Sequence, residues 1–267
     1  MNNTVISETA AVTAIRRQPA GYIDLDLSSR NIATHSRPGQ FVMLRLPGRR
    51  DPILPRPFDV VSTSPRTGTF RLIIKIAGRA TVLLEALRAG DSLEITGPLG
   101  KPITDFTCAS LALLVRGCGA AAVLSFLEET KKRGIVTHTI LSASTAEKFI
   151  LKNEIESLSD RLILATDDGS AGEKALGSTI LKRLVGESSV ERIYSCGGGP
   201  FYLPDLRELD RSGRAPVWLF LESYMACGFG HCHGCAVKKS GGGYSLVCQD
   251  GPLYKLADIE EPCPIYQ

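Results

Sequence analysis

Over residues 4–104 apolar and polar positions alternate in short runs: TVISETAAVTAI, YIDLDLS, QFVMLRL, FDVVSTS, FRLIIKIA and DSLEITG. Turn signals such as Pro19-Ala20-Gly21, Arg37-Pro38-Gly39 and Thr67-Gly68 separate them. A period of two sends one side of each run into a core and leaves the other to water, so these runs predict strands, and short strands at this spacing predict a small antiparallel barrel. One helix is expected within it, over residues 80–89. After GPLGKP the period changes. SLALLVRG, VTHTILSAS, RLILATDD, RIYSCGG and VWLFLES read as buried strands, and AAAVLSFLEETKKRG, AEKFILKNEIESL, GSTILKRLVGE and FYLPDLRELDRSG as the helices between them. Such a βαβ series predicts a parallel sheet with ligands at the carboxyl ends of its strands. Those ends carry Gly117-Cys118-Gly119, Thr166-Asp167-Asp168-Gly169-Ser170 and Cys196-Gly197-Gly198-Gly199-Pro200. Each alone is compatible with a tight βα turn; together on one edge they point to a nucleotide site. The expected fold is β plus α/β: an antiparallel β-barrel domain at 1–104, a parallel-sheet nucleotide-binding domain at 105–221 and a small cysteine-loop module at 222–267.

Composition narrows the function classes. A chain of 267 residues with 43% hydrophobic content can bury substantial cores. A net charge of +3 is too mild to imply nucleic acid, and the densest basic spots, Arg49-Arg50 and Lys131-Lys132-Arg133, read as solvated faces. The first residues lack a basic start followed by an apolar core, so no signal peptide is expected. No apolar run approaches the roughly 18 residues of a membrane span. Of eight cysteines, Cys108, Cys118, Cys196 and Cys263 are scattered without a pairing pattern, which predicts a reduced, cytoplasmic setting.

The other four cysteines carry the chemistry. Cys227, Cys232, Cys235 and Cys248 are spaced C-x4-C-x2-C-x12-C, the loop spacing of plant-type [2Fe-2S] sites. Gly228, Gly230 and Gly234 thread the loop, and glycine reaches the φ > 0 turns that aim backbone N–H groups at an anionic cluster. Structural zinc is the leading alternative, although zinc modules favour two C-x2-C hooks and this loop has one; disulfides are a further one. His231 and His233 lie inside the loop, but four cysteines already suffice without a Rieske-type arrangement.

Two stretches of the barrel suggest a phosphate-bearing ring system. Arg56-Pro57-Phe58-Asp59 closes a proline-rich loop, where a guanidinium can fork onto a pyrophosphate and a phenyl ring can cover a planar group. Lys75-Ile76-Ala77-Gly78-Arg79-Ala80-Thr81 runs from a strand through glycine into a helix, a geometry that favours anions but also serves as a plain turn.

In this order, and over essentially the whole chain, these parts resemble the electron-transfer subunits of NAD-dependent (class 1B) dihydroorotate dehydrogenases, within the ferredoxin reductase-like superfamily. ESYMACGFGHCHGCAVKK and VCQDGP look like that family's cluster loop; RPFD resembles its flavin motif RPFS, GPLGKP its GPLG turn, and CGGGP a C-G-x-x-P nicotinamide-side motif. The resemblance implies FAD, a [2Fe-2S] cluster and NAD(H). It implies Arg56 at the FAD pyrophosphate, with Pro57, Phe58 and Asp59 at the flavin edge and Lys75, Ile76, Ala77, Gly78, Ala80 and Thr81 along the cofactor. Asp168, Gly169, Cys196 and Gly197 would border the nicotinamide nucleotide, and Cys227, Cys232, Cys235 and Cys248 would hold iron. A catalytic flavoprotein partner in a heterotetramer would oxidise dihydroorotate for pyrimidine biosynthesis, and this chain would relay the electrons; no nucleic acid or membrane is implied. Three positions depart from the family pattern: Asp59 stands in place of serine, residues 116–121 read RGCGAA in place of a glycine-rich turn, and residues 78–81 read GRAT in place of GxGT. Two other readings stay open, a reductase-like subunit of a hydrogenase or sulfite reductase type complex and a zinc-stabilised, non-redox binding module.

Overall fold

The computed structural model describes residues 5–49 and 51–260. Thr4 of the first strand run, Arg50 of the Arg49-Arg50 pair and Cys263 lie outside the described residues.

The alternating runs form one antiparallel sheet: β1 (Ile6–Gln18), β2 (Tyr22–Ser28), β3 (Phe41–Arg45), β4 (Arg56–Asp59), β5 (Ser62–Ser64), β6 (Thr69–Lys75) and β7 (Ser92–Leu99). Their order is β4-β3-β7-β1-β2-β6-β5. FDVVSTS is therefore two strands, and these lie at opposite edges of the sheet. Only Val60 and Val61 join them, a reach of roughly 11 Å, so the sheet has to curl until its edges meet. Val60 N–H donates to Gln40 O and Val61 N–H to Arg71 O, one on each side of the seam. The interior holds Leu25, Leu27, Val42, Leu72, Ile74 and Leu93, all but inaccessible to water. Two short helices decorate the barrel. α1 (Arg30–His35), unmarked by periodicity, is started by Ser29, whose Oγ accepts from Ile32 N–H at 3.0 Å. α2 (Arg79–Glu85) is shorter than the helix expected over residues 80–89.

The second sheet is doubly wound. Its elements are β8 (Ser110–Arg116), α3 (Gly119–Lys132), β9 (Val136–Ala143), α4 (Lys152–Leu158), β10 (Arg161–Thr166), β11 (Glu173–Lys174), α5 (Gly177–Glu187), β12 (Arg192–Cys196), α6 (Gly199–Arg211) and β13 (Val217–Phe220). In β8 the apolar run is buried on both faces, as a central parallel strand requires: Leu111, Leu113 and Val115 pack with α3, and Ala112 and Leu114 with α5 and α6. The stretch AEKFILKNEIESL is not one helix. Ile150 and Leu151 are both buried, the chain turns through a left-handed conformation at Leu151 (φ 54°), and α4 starts after it.

After β13 come a hairpin of β14 (Ala236–Lys238) and β15 (Tyr244–Leu246), a turn of helix α7 (Val247–Asp250) and β16 (Leu253–Lys255). β16 pairs antiparallel with β13, so the full sheet order is β11-β10-β9-β8-β12-β13-β16. The cysteine segment is thus a strand of the second sheet as well as an appendage to it. It also rests on the barrel: a Cβ added to Gly228 would lie 2.5 Å from Met43 Cγ and 3.0 Å from Leu99 Cδ1. The barrel is held to the second sheet on another side by Arg71, which clamps Asp24 (2.8 Å) and reaches Glu154 of α4 (3.4 Å). Asp24 is 1% exposed; against a desolvation that would raise it, the Arg71 and Arg16 forks hold its carboxyl below the usual range. Among the described residues no helix is long and apolar enough to cross a membrane.

Candidate functional site

Element ends from both sheets meet around a cavity of about 220 Å³. Phe41 opens β3, Pro57, Phe58 and Asp59 end β4, Lys75 ends β6, Cys118 follows β8, and residues 221–223 and Met225 run along the other side with Pro252. Two phenyl rings and two prolines give planar apolar walls, and Asp59, Lys75 and Glu222 add polar groups, a lining suited to a flat heteroaromatic ring. Burial pushes the Asp59 carboxyl up to about 7, with the Glu222 charge adding to it. Burial also raises Glu222, while Lys75 pulls it back. The Cys118 thiol is pushed up to about 12, by burial first and then by Glu222. The site therefore suppresses negative charge near the ring position and keeps one acid poised near neutral pH.

That acid carries a prediction. A carboxyl whose folded pKa lies above its unfolded value withdraws stability as pH rises from about 4 to about 7, and the loss is constant above. In flavin-depleted protein Asp59→Asn removes the loss: the variant gains on wild type progressively over that window and is up to ~4 kcal/mol more stable at pH 8. Urea midpoints at pH 4 and pH 8 test it; a gain that is the same at both pH values contradicts it.

Of the residues expected at a flavin, Pro57, Phe58, Asp59 and Lys75 are brought together by this cavity. Arg56 is not among them; its Nη1 donates to Leu54 O (2.8 Å) and Pro55 O (3.3 Å), and it shares a neighbouring hollow with Ala80, Leu44 and Pro52. Ile76, Ala77 and Gly78 form the turn into α2. Thr81 Oγ1 accepts from Ala77 N–H (2.9 Å) and Gly78 N–H (3.0 Å), so these two amides are already engaged by the turn itself. Phe41, Cys118, Glu222 and Met225 were not foreseen as cavity residues. Glu222 alone had a legible signal, an acid at the carboxyl end of the buried run VWLFLES.

Two residues beyond Met225 the chain enters the cysteine loop. Gly228 (φ 81°), Gly230 (φ 83°) and His233 (φ 58°) turn it through left-handed conformations. Backbone donors then face the sulfurs: Gly230 N–H to Cys248 Sγ (3.1 Å), Cys232 N–H to Cys227 Sγ (3.4 Å) and Gly234 N–H to Cys232 Sγ (3.5 Å). Cys235 Sγ and Cys248 Sγ lie 3.3 Å apart, so one thiol hydrogen-bonds the other. That bond pulls Cys235 down to about 6. Against desolvation, backbone donors at Cys232, Phe229 and His231 pull Cys227 down to about 7. The hydrogen bond between Cys235 and Cys248 pushes Cys248 well up, so this pair holds on to one proton, while the N–H donors around Cys227 and Cys235 favour their thiolate forms. Among the described residues no three His, Cys, Asp or Glu side chains converge on a single-ion site. The Cys232 backbone thus faces Cys227 Sγ, and Cys235 Sγ lies beside Cys248 Sγ. His231 and His233 are exposed loop residues.

The residues expected around a nicotinamide nucleotide spread along the carboxyl edge of the parallel sheet. Cys196 ends β12 and is 1% exposed, its thiol raised by burial and by the Glu222 and Asp59 charges, which places it beside the cavity. Gly197 follows it. Asp168 and Gly169 lie after β10, farther out; Asp168 Oδ1 accepts from Ser170 N–H (2.9 Å) and Oγ (2.6 Å), which lowers its pKa. They do not join the cavity.

Comparison with known proteins agrees with this layout. Residues 18–103 match the family described as oxidoreductase FAD-binding domain, and residues 222–260 the one described as iron-sulfur cluster binding domain of dihydroorotate dehydrogenase B. The electron transfer subunit of dihydroorotate dehydrogenase B (NAD(+)) from Fusobacterium nucleatum is 31% identical over 229 residues, covering 84% of this chain and 86% of the relative. A homolog of that subunit from Thermotoga maritima is 30% identical over 262 residues, covering 97% and 89%. Among solved structures, an NADH-dependent reduced ferredoxin-NADP oxidoreductase studied for flavin-based electron bifurcation aligns with a TM-score of 0.86 at 27% identity, over 97% of this chain and 91% of its own. A ferredoxin reductase of carbazole 1,9a-dioxygenase, at 17% identity and a TM-score of 0.68, shares the fold.

Proposed function

This chain belongs to the family of dihydroorotate dehydrogenase B electron transfer subunits, and from that premise we propose that it relays electrons between a dihydroorotate-oxidising catalytic subunit and NAD through a [2Fe-2S] cluster and FAD. The observation that carries the reading is the continuity of two sites: residues 221–223 and Met225 line the ring cavity, and Cys227 opens the cysteine loop directly after them. Bound FAD supplies the exchange between a two-electron hydride carrier and a one-electron iron-sulfur centre. The chain's own residues do the rest. Phe41, Pro57 and Phe58 shield the ring, and Asp59, Lys75 and Glu222 set the charge around it. Arg56, with Ile76, Ala77, Gly78, Ala80 and Thr81, attends the phosphate end of the cofactor. Asp168, Gly169, Cys196 and Gly197 border the dinucleotide. Cys227, Cys232, Cys235 and Cys248 hold the cluster, with backbone N–H groups at Gly230, Cys232 and Gly234 countering its charge.

No residue of the cavity is assigned as the base for dihydroorotate oxidation; that work falls to the partner, in a heterotetramer of two relay and two catalytic chains. Seven free cysteines among the described residues suit the reduced cytoplasm of pyrimidine biosynthesis. Anaerobically purified protein is expected to show flavin absorbance and, once reduced, the EPR signal of a [2Fe-2S] cluster, with NADH bleaching the flavin rapidly and saturably. A colourless, zinc-containing product rules out the relay. The likeness to the NADH-dependent reduced ferredoxin-NADP oxidoreductase supports one second reading, in which the same relay serves a different redox partner, as a reductase-like subunit of another complex would. Copurification distinguishes the two, since a dihydroorotate-oxidising flavoprotein is expected only under the first.

A further inference from the structure

The chain leaves β8 to one side for β9, β10 and β11 and later returns to the other for β12 and β13, so the crevice of the second sheet opens at the carboxyl ends of β8 and β12. Arg116, the last residue of β8, sits at that crevice with its side chain 18% exposed. Its fork reaches across the end of β9 to Asp167, beyond β10: Nη1 donates to Asp167 Oδ1 (3.1 Å) and Nη2 to Oδ2 (2.6 Å). Nη1 also donates to Tyr202 Oη (3.2 Å), and that hydroxyl is 2.7 Å from Ser142 Oγ, which donates to Val115 O (3.1 Å). Tyr202 is inaccessible to water and Ser142 nearly so.

The turn after β12 is shaped around this arrangement. A Cβ on Gly197 would lie 2.3 Å from Arg116 O, and one on Gly198 would lie 2.5 Å from the Tyr202 ring and 3.1 Å from Arg116 Cδ. An arginine fork held flat by a buried tyrosine, across the edge where a parallel sheet takes its ligands, is built to meet an anion with paired oxygens.

We propose that Arg116 receives the diphosphate of a pyridine dinucleotide, and that Asp167 holds its guanidinium in place until the ligand arrives. This rests on the reading of the sheet edge as the dinucleotide site. Asp167 is half exposed and reaches the fork from the far side of β9, so the phosphate oxygens take over its two hydrogen bonds while the Tyr202 contact persists.

The test uses purified holoprotein with ADP-ribose, which carries the diphosphate and lacks the nicotinamide, titrated by calorimetry while flavin absorbance monitors folding. Arg116→Ala is expected to weaken ADP-ribose on the order of 10- to 100-fold, Arg116→Lys to lose part of that, and Asp167→Asn, which removes the competing charge but keeps an acceptor, to tighten it several-fold. Tightening by both Arg116→Ala and Asp167→Asn overturns the proposal and makes the ion pair an obstruction. Unchanged affinity in both arginine variants overturns it too. If wild type neither binds ADP-ribose nor has its flavin reduced by NADH, the dinucleotide reading of the edge falls, and Arg116's role with it.

Discussion

Cys235→Ser is expected to purify with its flavin and without its cluster: iron and acid-labile sulfide near zero, no EPR signal on reduction, and flavin absorbance preserved. Cys235 is 2% exposed, touches Cys248 at 3.3 Å and belongs to the core that also contains Val237, Val247 and Leu256. A serine there keeps a hydrogen-bonding group for Cys248 but offers a hydroxyl far too basic to ionise in place of a thiolate, the form a metal takes. The flavin survives because the ring cavity draws no wall from residues 227–248. Iron at the wild-type level in Cys235→Ser would remove it from the ligand set. Under the zinc reading, the wild-type protein has no EPR signal for the substitution to abolish.

The second large effect concerns stability. Gly197 holds φ at 79°, where a β-branched residue is strained, and its missing side chain is the space that Arg116 O occupies at 2.3 Å. Gly197→Val therefore combines left-handed strain with a collision against backbone, which cannot yield as a flexible side chain would. The expected loss is at least about 3 kcal/mol, read as a shift of the urea midpoint or as failure to accumulate folded protein. Gly134→Ala is the control: its φ is similar, at 69°, but nothing lies within 4 Å of the added carbon, so its loss is confined to the backbone term. Equal losses in the two would show that the close approach to β8 does not matter. In sequence CGGGP reads as a ligand-facing motif; in the fold at least one of its glycines is needed whether or not a ligand is present.

The contrast between these two sites shows what local pattern can and cannot carry. The cysteine loop was legible because its four cysteines lie within a short stretch and their spacing is itself the pattern an iron-sulfur module needs, and residues 222–260 match such a domain. The barrel strands were legible because enough alternation survives between turn signals, although β2 and β3 each bury four consecutive residues. The break inside FDVVSTS was hidden, since Val60 and Val61 are both buried and the apolar pattern continues across the seam. β16 was missed because three residues are too few to show a period, and its pairing partner β13 lies more than thirty residues away. The ring cavity had the same difficulty in stronger form: Phe41, Asp59, Lys75, Cys118 and Glu222 each begin, end or follow a different element, and only closure of the barrel against the second sheet makes them neighbours. Arg116 and Asp167, 51 positions apart, meet because β8 and β10 bring their carboxyl ends to one edge of the same parallel sheet.

Pro252 is one wall of the ring cavity, and it comes after the last cysteine of the loop. During synthesis from the N-terminus, the barrel and most of the second sheet can leave the ribosome and fold while that wall does not yet exist. The ring site is completed only when residue 252 has emerged, by which time all four cysteines of the loop are already outside or in transit. Enclosure of the flavin and assembly of the iron centre therefore belong to the same late window of biogenesis, and a nascent chain arrested before that point presents a folded barrel with an unfinished cofactor site.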